Sequence, residues 1–171
     1  VWKNNPVRVH LYGVRTWGDL FSPRQALAMA SFVEAVRELP HAMAKEGADE
    51  AVTTATAACL SLAVDRMADH LNTLCRWNPS GPKLQNLFSQ QAIPFIWDYA
   101  EANPFGDSVG DWMHGVECVI EGLMVASDTR GRATVQIANA TKHPLPDDSV
   151  DLVVTDPPYY DQVPYATVSE F

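Results

Sequence analysis

The sequence of 171 residues lacks several features, and each absence excludes a class of protein. No apolar run approaches the roughly 20 residues that a membrane-spanning helix needs. No apolar segment follows Lys3 as it would in a signal peptide. Cysteine is scarce: Cys59, Cys75 and Cys118 are too few and too scattered for a disulfide framework or a zinc site. We therefore expect a protein of the reducing cytoplasm, with no membrane and no metal among its partners.

Basic charge is also scarce, since 12 Lys and Arg face 21 Asp and Glu, for a net charge of −9. This balance argues against a stand-alone DNA-coating protein, which would carry a basic face. Any role with nucleic acid must come from a small local site or from partners. Hydrophobic residues make up 47% of the chain, which excludes a predominantly disordered protein and supplies the core of one ordinary domain.

Three helices are predicted in the first 130 residues. Residues 22–25, Ser-Pro-Arg-Gln, form a capping box with proline at the first helical position. The apolar spacing predicts a helix from there to about Leu39, before a proline, with a continuation to Lys45 as the other option. The same spacing predicts a long helix over about 49–76 and a third over about 108–126.

Extended structure is predicted at both ends of the chain. Residues 7–12 alternate apolar and polar side chains, which favours a short strand or an extended lead-in. Residues 133–137 read as a strand, and the apolar run 150–155 is typical of a buried parallel strand. We therefore expect an α/β chain of two parts. Residues 1–130 form an inserted or recognition helical subdomain, and residues 131–171 form the edge of a parallel sheet.

The strongest chemical signal follows the last predicted strand, in Asp156-Pro157-Pro158-Tyr159. Ligands of open α/β sheets bind just beyond the carboxyl ends of the strands. Two prolines remove two N–H donors, so the local carbonyls are left to accept hydrogen bonds. Asp156 and the Pro157 carbonyl could each accept one N–H of an exocyclic amino group, while Tyr159 stacks on the ring that carries it. A plain strand-ending turn is the other interpretation.

This segment resembles motif IV of the amino-methyltransferases, and the chain from about Tyr12 onward is similar to the interior of large adenine-specific DNA methylases. The similar segments are residues 74–77, 90–94, 97–101, 103–105 and 159–165. The resemblance implies an edge of a Rossmann-like methyltransferase sheet. It also implies S-adenosylmethionine-dependent methylation of adenine N6, or of cytosine N4, in a base flipped out of DNA. Asp156, Pro157, Pro158 and Tyr159 would be the catalytic residues. RNA and protein glutamine stay open as substrates.

Further residues take roles from the same resemblance. Asn139 matches the position that contacts the adenine of S-adenosylmethionine, where Asp is commoner. Tyr160, Asp161 and Tyr165 match a loop that covers the flipped base or contacts the DNA backbone, although an ordinary surface loop is an equal alternative. The Phe-x-Gly-x-Gly turn of the family is absent, so this chain alone is expected to bind the cofactor poorly and to be inactive.

Other segments of the same methyltransferase are therefore expected partners. The start at Val1 and the stop at Phe171 agree with an interior segment of a longer protein. The alternative is a non-catalytic helical module that binds DNA or protein and carries a vestigial motif. The target sequence and the pathway served (restriction, phage defence or regulation) stay open.

Several other residues have competing interpretations. Core packing is favoured for Trp97 and Phe105 over a place in a substrate-facing loop. His114 and His143 show no ligand spacing with each other or with a cysteine. Arg76 is expected to be solvated or paired within the chain rather than bound to DNA. Basic groups near the N-terminus form a possible phosphate contact: Arg8, His10, Arg15 and Arg24.

Overall fold

The computed structural model describes residues 9–89, 92–128, 131, 133–160, 163, 165–169 and 171. Within these residues the chain forms four α-helices: α1 (Pro23–Lys45), α2 (Glu50–His70), α3 (Trp112–Ser127) and α4 (Tyr165–Ser169). Its two strands, β1 (Arg76–Asn78) and β2 (Lys83–Gln85), pair as an antiparallel hairpin with Trp77 opposite Leu84. Short 3₁₀ turns span Val9–Tyr12, Trp17–Leu20 and Leu87–Ser89. The fold is therefore mixed α/β and mainly helical.

Helix α1 begins at the predicted capping box. The Ser22 hydroxyl accepts the Gln25 N–H at 3.3 Å, and the Gln25 side-chain oxygen accepts the Ser22 N–H at 2.8 Å. Of the two predicted ends, Leu39 and Lys45, the structure shows the second, since the helix runs through Pro40 to Lys45. Packing of α1 along α2 stabilises the helix beyond the proline, which removes one internal hydrogen bond.

Helix α2 begins where Asp49 caps it and ends at His70, well before the predicted end near Arg76. The cause is Asn72, whose side chain is fully buried. Its Nδ2 donates to the carbonyls of Ala68 (2.8 Å) and Asp69 (3.2 Å), and its Oδ1 accepts the Leu74 N–H at 2.9 Å. These bonds satisfy the last carbonyls of the helix and turn the chain out of it.

Helix α2 packs against both α1 and α3. Asp111 caps α3 by accepting the His114 N–H at 2.6 Å. Gly115 allows a close approach, because a Cβ there would lie 3.3 Å from the Ala63 carbonyl oxygen. The three predicted helices are thus confirmed, with α3 starting at Trp112 rather than near 108.

The main apolar core lies where the 3₁₀ turns meet the segment after α2. Its buried members are Val9, Leu20, Leu74, Leu87 and Ile93. Thr73 ties this region together, since its N–H and its hydroxyl both donate to the Leu20 carbonyl, at 2.7 and 2.8 Å. The described part of the predicted N-terminal strand is instead the 3₁₀ turn Val9–Tyr12. Burial of Val9 in this core, rather than pairing with a strand, determines its conformation.

The chain after residue 131 differs most from expectation. Residues 133–137 and 150–155 lie in no strand. An isolated β-bridge joins Asn139 and Lys142, which lie between these two segments in the sequence. The large apolar side chains of the two segments are exposed: Val135, Ile137, Val150, Leu152, Val153 and Val154. A parallel strand needs neighbours to take up its backbone hydrogen bonds, and the described residues place none beside these segments. The expected edge of a Rossmann-like sheet is therefore not formed by the described residues.

Candidate functional site

The segment Asp156–Tyr159 lies in irregular backbone, and all four residues are exposed. The sequence predicts the end of a buried strand here, whereas the structure places the segment in an exposed loop. Tyr159 is 59% exposed, so much of its ring surface is open to a ligand. The carboxylate, the two prolines and the aromatic ring are therefore accessible, and the described residues place no sheet around them.

Tyr165 is the predicted site residue that the structure brings to this segment. Its phenolic oxygen accepts a hydrogen bond from the Tyr159 N–H at 3.1 Å. Tyr165 is the first residue of α4, and its own N–H donates to the Val163 carbonyl at 2.8 Å. The backbone of the motif is thus held by the side chain of Tyr165, the first residue of α4.

The chain beyond α4 returns to the helical part of the molecule. The ring of Phe171 packs against Trp17, Phe21 and Phe88, with centroid distances of 5.9, 5.9 and 5.4 Å. These rings border the apolar core. The segment that carries Tyr165 is therefore anchored to the helical part only a few residues beyond α4.

Asn139, the predicted cofactor contact, occupies a local turn. Its side-chain oxygen accepts the Thr141 N–H at 2.9 Å and the Thr141 hydroxyl at 2.8 Å, and its carbonyl accepts the Lys142 N–H at 2.9 Å. This oxygen stabilises the turn and is not presented to an adenine amino group. The sequence also has no Phe-x-Gly-x-Gly turn. The described residues therefore do not fit a site for S-adenosylmethionine.

Tyr160 and Asp161 are the other predicted contacts to nucleic acid. Tyr160 is 97% exposed, so its ring extends into solvent beside the motif. Asp161 lies outside the described residues. The described part of the loop agrees with both earlier interpretations, a nucleic-acid contact and an ordinary surface loop.

An exposed aromatic cluster is a feature that sequence analysis missed. Tyr12 stacks on Phe95 with centroids 3.9 Å apart and planes 8° apart, and Trp97 meets Phe95 edge-on at 5.1 Å. Trp97 is 80% exposed, so its predicted place in the core is wrong. Ile93, in the same segment, is fully buried, so the spacing of Ile93, Phe95 and Trp97 does not distinguish the core from the surface.

Phe105 was also predicted to fill the core, and it too is exposed, at 77%. Its ring contacts Phe32 at 5.5 Å, and Phe32 contacts Trp112 at 4.8 Å. These rings join α1 to the start of α3 at the surface. Aromatic spacing along the sequence could not distinguish such a surface contact from core packing, because both bury part of each ring.

Arg24 and Arg15, two of the basic residues near the N-terminus, have different surroundings. Arg24 forms a salt bridge to Glu101 at 2.6 Å, and the Ser22 hydroxyl donates to the same carboxylate at 3.0 Å. The hydrogen bond from Arg24 lowers the pKa of Glu101 and raises the pKa of Arg24 itself. This pairing disfavours a phosphate contact by Arg24. Arg15 is exposed and stays a candidate, whereas Arg8 lies outside the described residues.

His114 and Cys118 contact each other, although sequence analysis found no ligand spacing between histidine and cysteine. His114 Nε2 lies 3.9 Å from the Cys118 sulfur and 3.4 Å from an Arg66 guanidinium nitrogen. His114 and Cys118 are four positions apart in α3, which puts them on one face of the helix. Across the part of the chain that the structure describes, no three His, Cys, Asp or Glu side chains gather as metal ligands.

Comparison of the chain with protein-family models, with curated proteins and with solved structures gave no match. A functional assignment must therefore come from the motif residues and their surroundings. Among the described residues, no helix has the length and apolar character needed to cross a membrane.

Proposed function

We propose that this chain supplies the amino-group-binding part of an S-adenosylmethionine-dependent DNA methyltransferase. Adenine N6 is the favoured target, with cytosine N4 as the other option. The observation that carries the proposal is the exposed segment Asp156–Tyr159, in which a carboxylate, two prolines and an aromatic ring follow one another. The hydrogen bond from Tyr159 to Tyr165 supports it, because it fixes the backbone beside the ring.

The chemistry of the target explains why these groups suit it. The lone pair of an exocyclic amino nitrogen is conjugated with its ring, so the nitrogen is weakly nucleophilic. Hydrogen bonds to the Asp156 carboxylate and the Pro157 carbonyl would favour tetrahedral nitrogen and stabilise its developing positive charge. Stacking on Tyr159 would hold the ring in place. Positioning supplies the rest, and no activated nucleophile is needed.

DNA would reach this site as a flipped base, because the amino group is otherwise paired inside the duplex. The net charge of −9 limits how much of the phosphate backbone this chain can bind. Tyr160 and Asp161 are the proposed local contacts. We assign the methyl donor and most phosphate contacts to other segments of the same methyltransferase, since Asn139 serves a local turn.

The test is transfer of a labelled methyl group to DNA by the methyltransferase that contains this chain. Asp156→Ala should abolish transfer to adenine-containing DNA. The thermal unfolding midpoint should stay unchanged, because Asp156 is exposed. Asp151→Ala is the matched control, an exposed carboxylate five positions away in the same segment, and it should retain activity. Full activity in the Asp156→Ala variant would reject the proposal.

A second candidate is the non-catalytic binding module. The observation that favours it is an open apolar groove of about 390 Å³ between α2 and α3. Val52, Leu60, Val119, Ile120 and Leu123 line this groove. DNA or protein binding that needs no S-adenosylmethionine and is unaffected by Asp156→Ala would favour this candidate over the methyltransferase. For DNA, the affinity should fall steeply with salt concentration.

A further inference from the structure

The segment from Pro157 to Tyr159 has an unusual supply of backbone hydrogen-bonding groups. Three carbonyls can accept hydrogen bonds, but Pro157 and Pro158 have no N–H. Tyr159 therefore carries the one backbone donor of this segment. A free donor there would attract an oxo group on a ring as readily as the carbonyls attract an amino group.

Tyr165 removes this donor. Its phenolic oxygen accepts the Tyr159 N–H at 3.1 Å. A backbone N–H has a fixed direction, whereas the hydroxyl hydrogen of Tyr165 rotates about its C–O bond and can turn toward water. The fixed Tyr159 N–H is thus occupied, and the donor that remains beside the ligand is the rotatable hydroxyl of Tyr165. What the segment then presents in fixed positions is acceptors only.

The position of Tyr165 is supported from the helical part of the molecule. Beyond α4, Phe171 packs against Phe21 and Phe88 at the border of the apolar core. Tyr165 itself is 44% exposed, so part of its ring faces solvent. The contact of Phe171 with the core keeps the phenol of Tyr165 near Tyr159. It thereby connects the motif to the folded core.

We propose that Tyr165 is a positioning residue that determines specificity: by occupying the Tyr159 N–H, it makes the segment select rings with an amino group over rings with an oxo group in the same place. The inference rests on the proposed function and names its discriminating residue. Amino and oxo rings of equal size should bind differently, because an oxo oxygen would face the Asp156 carboxylate and the Pro157 carbonyl.

The experiment compares adenosine with inosine, which differ by an amino against an oxo group at one ring position. Both nucleosides are titrated into the ¹⁵N-labelled chain, and amide shifts of the motif report the affinity. Hydrogen exchange of the Tyr159 amide is measured in the same samples. Tyr165→Phe removes only the phenolic oxygen. Tyr99→Phe is the matched control, because Tyr99 is 42% exposed, close to the 44% of Tyr165, and lies outside the motif.

In the unchanged chain we expect a preference for adenosine and about fivefold protection of the Tyr159 amide, as for one net hydrogen bond. Tyr165→Phe should remove the protection and lower the preference by about fivefold. Tyr99→Phe should change neither. Equal preference in the Tyr165→Phe variant and the unchanged chain would overturn the role of Tyr165, and so would an unprotected Tyr159 amide. If neither nucleoside shifts the motif amides, the proposed function itself fails and the selectivity fails with it.

Discussion

The ring of Phe171 stacks on the ring of Phe21 with centroids 5.9 Å apart and planes 8° apart. One ring lies directly before α1 and the other lies beyond α4, so this contact joins distant parts of the sequence. Phe88 meets the Phe171 ring edge-on at 5.4 Å. Through this contact the loop with the candidate site is connected to the helical core.

Replacing Phe171 by alanine should loosen this connection. Because Phe171 is half-buried, the free energy of unfolding should fall by about 1–3 kcal/mol, less than for a fully buried ring. Amides of α4 should exchange faster. Urea unfolding and hydrogen exchange measure both effects. Phe105→Ala is the control, since Phe105 is 77% exposed, and its cost should be smaller. Equal losses in the two variants would show that the Phe171 contact contributes nothing specific.

Two glycines should respond to alanine with opposite signs. At Gly110, φ is +99° and a Cβ would lie 2.8 Å from the Cβ of His70, which is buried. Gly110→Ala should lower the free energy of unfolding by about 1–3 kcal/mol. Gly122 lies in α3 with open space around it, so Gly122→Ala should raise stability by about 0.5–1 kcal/mol. Urea unfolding of both variants checks this, and two changes of the same sign would contradict it.

Asn72 should be among the most sensitive polar residues. Asn72→Ala removes three hydrogen bonds at a fully buried position and should cost about 2–4 kcal/mol. Asn72→Asp keeps the acceptor for Leu74 but places a carboxylate against two carbonyls, so it should be no less destabilising. Asn78→Ala is the control. Its oxygen accepts one exposed N–H, from Ser80, and its loss should cost about 1 kcal/mol or less.

Cys75 should make stability depend on pH in the alkaline range. Its side chain is fully buried, and burial raises its pKa from 9.0 to about 11. Between these two values the unfolded chain loses the thiol proton and the folded chain keeps it. The contribution is complete below pH 9 and is lost as the pH rises toward 11, for a total of about 2–3 kcal/mol.

The measurement subtracts every other titrating group. The unfolding free energy of Cys75→Ala is taken from that of the unchanged chain at each pH from 7 to 11. This difference should be constant below pH 9 and then shrink. A difference that stays constant up to pH 11 would rule out the raised pKa.

Local sequence patterns predicted α1, α2 and α3, but not all of their ends. The capping box of Ser22 and Gln25 placed the start of α1 correctly, because both partners lie within one turn. The end of α2 was predicted too late, because Asn72 ends it through side-chain bonds that helical periodicity does not contain. Of the two predicted ends of α1, the longer one is observed, since packing against α2 stabilises the helix despite Pro40.

The candidate site was predicted in part. The chemical character of Asp156–Tyr159 followed from its residue types, and the role of Tyr165 in covering the flipped base or contacting the DNA backbone stays a prediction. The hydrogen bond of Tyr165 to the Tyr159 N–H was not foreseen, because a turn brings the phenol back along the chain. Trp97 was placed in the core, and an aromatic residue in a sequence gives no indication of which side of its segment faces solvent.

The sequence by itself determined where α1 and α2 begin and which backbone donors the motif lacks. Both depend on covalent structure and on neighbours within a few residues. Only the tertiary structure decided that Phe171 reaches Phe21, that Trp97 is exposed, and that residues 150–155 form no strand. Each of these depends on what the folded chain places beside the segment. A strand in particular has no internal hydrogen bonds, so its formation depends on neighbours that its own sequence cannot supply.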